Sequence, residues 1–224
     1  MSSFERTDIF IESLDNGNTE FLDKLEASAI ADDVPIIRRS MQRFLKLMLK
    51  MNKPKNILEV GTAVGFSAIL MAQYSEPDSK ITTIEKYEKR IPIAKKNFEE
   101  SGLGKKITFI EGDATDVLNE MVEKASNGNQ EFDGVYDMIF MDAAKGQYIN
   151  FLPNVLKLLK SGGVLITDNV LQDDTVIQSK FTVTRRDRTI HKRMREYLLT
   201  LMNNEMLTTD ILQVGDGISV SVKK

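Results

Sequence analysis

Between Asn56 and Thr167, short apolar runs alternate with amphipathic stretches, and that alternation admits very few folds. The runs are Ile57–Val60, Ile81–Ile84, Ile107–Ile110, Met138–Met141 and Val164–Thr167, each of strand length and most rich in Ile and Val. Between them lie Ser67–Tyr74, Lys89–Glu100, Thr115–Lys124 and Tyr148–Leu159, with helix-like apolar spacing. Strands buried on both faces read as unbroken apolar runs, and parallel neighbours need helical crossovers, so the pattern predicts a parallel sheet covered on both sides. Two later runs, Thr209–Val214 and Ile218–Val222, flank Gly215-Asp216-Gly217 and predict a terminal antiparallel hairpin. A basic helix is expected over Arg188–Leu201. Upstream, Phe21, Leu25 and Ala29 share one helical face and Phe44, Leu45, Met48 and Leu49 another, with Pro35 expected in the first turn of a third helix. Ser126–Gly134 reads as a turn-rich loop. The expectation is an α/β chain with a mostly parallel seven-stranded sheet, one domain over 1–224 made of a helical region over 1–52 and a core over 53–224.

Composition narrows the function classes. A length of 224 residues suits one domain better than two. The net charge of −3 argues against a protein that coats nucleic acid non-specifically, so any such contact needs a local basic patch. The absence of cysteine removes disulfides, thiolate zinc sites and a cysteine nucleophile together. The first residues carry acids and no unbroken apolar run, unlike a signal peptide, and no stretch reaches the ~18 apolar residues of a membrane span, so a cytoplasmic location is the default expectation.

The first strand runs into Glu59-Val60-Gly61-Thr62-Ala63-Val64-Gly65-Phe66-Ser67. Glycines after a strand and before a helix let the backbone approach a ligand closely. Their spacing departs from the Gly-x-Gly-x-x-Gly dinucleotide fingerprint, so a pyrophosphate is poorly matched. A loop preceded by Glu59 suits a nucleoside ligand with an amino-acid tail. The plainer alternative is a tight strand–helix turn. Glu85, at the end of the second strand, is placed to accept the hydrogen bonds of a ribose diol, and the alternative is a solvated acid in a charged run. Asp113, before Ala114, either bonds an adenine amino group or caps the following helix.

The fourth strand ends in Asp142 and the fifth in Asp168-Asn169. Two carboxylates and an amide oxygen are hard ligands, suited to Mg²⁺, Mn²⁺ or Ca²⁺ rather than zinc. The alternative is that both acids merely terminate strands. Lys145 follows Asp142 by three residues. Desolvation near a cation favours the neutral amine, a general base; taken alone, a surface lysine is the simpler reading.

These segments, ILEVGTAVGFSA, TTIEK, EGDA, MIFMDAAKGQY, GGVLITDNVL and VGDGISVS, resemble the cation-dependent O-methyltransferases, which include catechol and caffeoyl-CoA O-methyltransferases. The likeness runs from about Val34 to the C-terminus. It implies a Rossmann-like class I methyltransferase fold, S-adenosylmethionine as cofactor, a divalent cation such as Mg²⁺ and a homodimer. It places Asp142, Asp168 and Asn169 on the cation. It places Ile37, Glu59, Gly61, Ser67, Glu85, Asp113, Ala114 and Asp142 around the cofactor, Ile37 through its backbone. Lys145 and Asp142 become the catalytic pair. Asp216 is a candidate second acceptor-binding carboxylate, although within Gly215-Asp216-Gly217 a turn is the stronger reading.

Val34-Pro35-Ile36-Ile37, the string Asp142–Tyr148 and the basic stretch before Glu196-Tyr197 are similar to the bacterial tRNA 5-hydroxyuridine methyltransferases within that family. The implied partner is a tRNA anticodon loop, and the alternative acceptor is a small catechol or hydroxycinnamoyl thioester. Arg185, Arg186, Arg188, Lys192, Arg193 and Arg195 crowd into eleven positions and are the candidate RNA contacts. The alternative is a solvated helix face, or one salt-bridged across a dimer. His191, the sole histidine, reads as a surface residue.

Overall fold

The computed structural model describes residues 3–128, 132–171, 175–179, 181–185 and 187–224. Three helices come first, α1 (Ser3–Ser13), α2 (Glu20–Ala31) and α3 (Arg39–Asn52). Five strands then alternate with four helices: β1 (Asn56–Val60), α4 (Phe66–Tyr74), β2 (Lys80–Glu85), α5 (Ile91–Glu100), β3 (Ile107–Glu111), α6 (Ala114–Ser126), β4 (Tyr136–Met141), α7 (Tyr148–Leu158) and β5 (Leu159–Thr167). Helix α8 (Arg188–Met202) and the hairpin β6 (Leu207–Leu212) and β7 (Ile218–Lys223) complete the chain. The seven strands form one sheet in the order β3-β2-β1-β4-β5-β7-β6. The first five are parallel, and β7 runs antiparallel to both β5 and β6. Among the described residues no helix is long and apolar enough to cross a membrane.

Successive strand residues face opposite sides, and the core divides accordingly. Ile57, Ile81, Met138, Phe140 and Ile166 pack with α2, α3, α4 and α5. Leu58, Ile84, Ile139, Met141 and Leu165 pack with α6, α7 and α8. Helix α4 is buried along Phe66–Ala72, which explains its lack of a polar face.

One expectation fails. Pro35 does not open α3; the helix starts at Arg39, and Arg38 is extended, with φ −63° and ψ 155°. Proline's fixed φ suits extended backbone as well as a helix start. Here the Gln42 side chain decides, donating at 3.1 Å to the Ile37 carbonyl and holding the chain outside the helix.

Strand order reverses between β1 and β4, so the loops leaving them diverge and open a crevice at the carboxyl edge of the sheet. Register makes that edge level. Val60 pairs with Met141 and Met141 with Thr167, so Gly61, Asp142 and Asp168 each follow the last paired residue of their strands. The amides of Asp142 and Asp168 extend the ladder to the carbonyls of Val60 and Met141, each at 3.0 Å.

Candidate active site

A cavity of about 670 Å³ occupies this crevice. Gly61, Ala63, Glu85, Asp113 and Ala114 line one side, Asp142, Lys145, Asn169 and Asp216 the other, and Pro35, Ile36 and Arg38 lean over both.

The glycine loop is built for close approach. Gly61 has φ 106°, and a Cβ there would sit 2.2 Å from the Asp142 carbonyl oxygen. Gly65 has φ 89°, with the Phe98 ring 2.6 Å from where its Cβ would be. Between them Ala63 is held at φ 48°, unusual for a residue with a side chain, and its amide donates to Glu85 Oε2 at 2.8 Å. Glu85 Oε1 accepts two further amides, from Lys86 at 2.9 Å and Tyr87 at 2.8 Å. A carboxylate has about four acceptor sites, so most of this one is spent fixing the two loops and Oε2 keeps room toward the cavity.

Asp113 takes both roles considered for it. It caps α6 by accepting the Thr115 amide at 2.8 Å, and it lines the cavity. Lys86 beside it, helped by that amide, holds its carboxyl below the usual range. Glu59, Ser67 and Ile37 are buried rather than in the cavity wall. Glu59, wholly buried, accepts a bond from Thr83, while its Oε1 has no hydrogen-bond partner. Burial pushes its carboxyl up to about 7, against the pull of nearby Ser67 and Thr83. Ile37 points into the core, with its neighbours Ile36 and Arg38 at the cavity.

On the other side, Asn169 sits at φ 60°, a conformation asparagine tolerates, and brings its Nδ2 to 3.4 Å from Asp142 Oδ1. Removal from water raises the carboxyls of both Asp142 and Asp168; Asp142 raises Asp168 further, while Lys145 pulls Asp142 back down. Two acids that resist ionising together, beside an amide with an oxygen to offer, fit a hard divalent cation. Among the described residues no three His, Cys, Asp or Glu side chains cluster as a metal site. Lys145 begins a single 3₁₀ turn, Lys145–Gln147, and lines the same cavity.

Sequence reading missed two features. Arg38 pairs with Asp216 at 2.6 Å, joining the segment before α3 to the β6–β7 turn over the cavity. Gln42, 1% exposed, accepts from Asn18 and donates to Glu26 and to the Ile37 carbonyl, and Arg39 also grips Glu26. This network fixes the segment that overhangs the Gly61 and Glu85 side of the cavity. Asp216, read mainly as a turn residue, is in the turn and in the cavity at once.

The O-methyltransferase family profile matches residues 12–224. Caffeoyl-CoA O-methyltransferase of Medicago sativa is 34% identical over 188 residues, 80% of this chain and 70% of that protein. Catechol O-methyltransferase of Niastella koreensis is 32% identical over 181 residues, 80% of this chain and 79% of that protein. A Staphylococcus aureus structure, provisionally assigned as a caffeoyl-CoA O-methyltransferase, superposes with a TM-score of 0.86 at 33% identity, covering 98% of this chain and 99% of that one. The chain belongs to the O-methyltransferase family.

As an O-methyltransferase of the S-adenosylmethionine-dependent class, it lines one cavity with Gly61, Glu85, Asp113, Ala114, Asp142 and Asn169 from among the residues the motifs single out. The basic run is more varied. Arg185, Arg188 and Lys192 are exposed, whereas Arg186 lies outside the described residues. Arg193 is half-buried, with Nη1 donating to the Gly146 carbonyl at 3.0 Å, and Arg195 donates to the Val176 carbonyl at 3.0 Å. His191 is not a surface residue: it is 5% exposed, its Nε2 is 3.1 Å from the Gln178 carbonyl, and α8 turns it inward with Met194. A larger recess, about 980 Å³, runs along α8 past Arg188, Lys192 and Leu199 but includes none of the cofactor or acid residues.

Proposed function

We propose that this O-methyltransferase transfers the methyl group of S-adenosylmethionine to the 5-hydroxyl of a 5-hydroxyuridine at the wobble position of a tRNA anticodon loop, giving 5-methoxyuridine. The observation that carries the reading is the placement of α8. Its exposed Arg188 and Lys192 flank Arg193, which is bonded to the turn bearing Lys145, so a cationic surface adjoins the acid cluster in a protein of net charge −3. A polyanion gripped there would be held beside the cavity. The glycine loop and Glu85 would hold the nucleoside and amino-acid parts of the methyl donor, with Asp113 and Ala114 at the adenine. Asp142, Asp168 and Asn169 would hold Mg²⁺ or Mn²⁺, which supplies Lewis-acid stabilisation of an ionised acceptor oxygen.

The chemistry asks the chain mainly for alignment. The acceptor oxygen forms its bond to the methyl carbon as the carbon–sulfur bond breaks, sulfur leaves as a neutral thioether, and the hydroxyl proton passes toward Lys145 Nζ. Similarity to caffeoyl-CoA and catechol enzymes favours a second reading, methylation of a hydroxycinnamoyl thioester or small catechol. Purified protein offered hydroxyuridine-containing tRNA, caffeoyl-CoA and a simple catechol in parallel separates the two. Nucleoside mass spectrometry should find 5-methoxyuridine. Efficient methylation of either small acceptor with no product on tRNA would overturn the tRNA assignment.

A further inference from the structure

Helix α8 makes contacts that an anion-binding surface does not need. Arg193 Nη1 donates to the carbonyl of Gly146, the middle residue of the turn that carries Lys145. A Cβ on Gly146 would lie 3.7 Å from Ile190 Cγ1 and 3.9 Å from Arg193 Nη1, so turn and helix already meet at van der Waals range. One helical turn further, Tyr197 is fully buried and its hydroxyl is 2.5 Å from Thr167 Oγ1, next to Asp168. The Tyr197 ring lies 5.6 Å from that of Tyr148, which opens α7 directly after the Lys145 turn. The Tyr148 hydroxyl in turn donates to the Asp168 carbonyl at 3.3 Å. The contacts therefore close a circuit: turn to Arg193, along the helix to Tyr197, to the end of β5, to Tyr148, and back to the turn.

We infer that Arg193 is a positioning residue for methyl transfer. Through the Gly146 carbonyl it fixes the turn that presents Lys145, while Tyr197, four residues on and on the same helix face, fixes the strand end that presents Asp168. The basic residues of α8 thus divide by orientation. Arg188 and Lys192 face solvent, and Arg193 braces two halves of the acceptor site against each other. A guanidinium suits the task, since its rigid fork holds a carbonyl in one direction where an ammonium on a flexible stem does not. The inference needs an O-methyltransferase but no particular acceptor, so it stands or falls apart from the tRNA reading.

The test compares Arg193→Ala, Arg193→Lys and Lys192→Ala in the full chain. Arg193→Ala should lower kcat by about tenfold on whichever of hydroxyuridine tRNA or catechol is turned over, the scale of one lost charged hydrogen bond. Its acceptor KM and its affinity for S-adenosylhomocysteine should stay within about twofold. Amide exchange in peptides spanning 143–149 should quicken by about tenfold, with the β1 peptide unchanged. Arg193→Lys should recover part of kcat. Lys192→Ala, which removes only a solvent-facing charge, should leave exchange over 143–149 unaltered and act, if at all, on the tRNA KM. The inference is overturned if Arg193→Ala leaves exchange over 143–149 unchanged, or if it raises the tRNA KM at constant kcat, as loss of a phosphate contact would. The exchange arm decides the matter even if neither acceptor is turned over.

Discussion

Glu59→Gln removes a negative charge from a place without water. The wild-type carboxyl is fully buried, keeps one oxygen unpartnered, and has its pKa pushed from 4.5 to about 7. Folding thus favours the protonated acid. The associated stability is fully present below about pH 4.5, and it is lost as pH rises through about 7. At about 1.4 kcal/mol per pH unit the full loss is about 3 kcal/mol. Glutamine keeps an oxygen for Thr83, fills the same volume and does not titrate. The variant and the wild type should therefore unfold at similar temperatures near pH 5 and separate as pH rises. Above about pH 8 the variant should be higher by about 6–12 °C, at about 2–4 °C per kcal/mol for a chain of this size. Thermal unfolding followed by circular dichroism across that range measures the gap. Parallel Tm curves from about pH 5 to pH 9 would refute the reasoning, because a Glu59 with the same pKa in the folded and unfolded chain predicts no pH-dependent gap.

Three further outcomes are expected. Glu85→Ala should weaken S-adenosylmethionine binding by about 1.5–3 kcal/mol in calorimetry, since it removes a charged acceptor together with the anchor of the Ala63, Lys86 and Tyr87 amides. Chelation should abolish methyl transfer, and Mg²⁺ or Mn²⁺ should restore it in the wild type but not in Asp168→Ala; full turnover in excess chelator would contradict the oxygen-ligand reading. Gln42→Leu should cost about 1–3 kcal/mol of stability by stripping buried partners from Glu26 and Asn18, and it should raise KM for the methyl donor more than for the acceptor. An unchanged donor KM would show that the segment before α3 does not depend on this network.

What the sequence disclosed and what it hid follow from the range of the interactions involved. The parallel strands were legible because burial on both faces forces unbroken apolar runs. Asp142, Asp168 and Asn169 were legible because residues just past such runs must meet at one sheet edge. Pro35 misled because its φ is common to extended chain and helix start. The Arg38–Asp216 pair and the Gln42–Glu26 bond join distant segments, and no local pattern announces them. The role of Arg193 was obscured differently. Six basic residues within eleven positions suggest one surface, yet consecutive residues on a helix are turned about 100° apart. The apolar stripe Met194, Tyr197, Leu198 and Leu201 marked the inward side, and Arg193 borders it.

The contact between Gly61 and the Asp142 carbonyl has a thermodynamic consequence. The loop proposed to receive the methyl donor and the loop that begins the acid cluster meet backbone to backbone, with no side chain between them to absorb a displacement. A ligand that orders one loop has already met part of the cost of ordering the other. Donor and cation should therefore raise each other's affinity by the same factor, and titrating either in the presence of the other should yield one shared coupling energy.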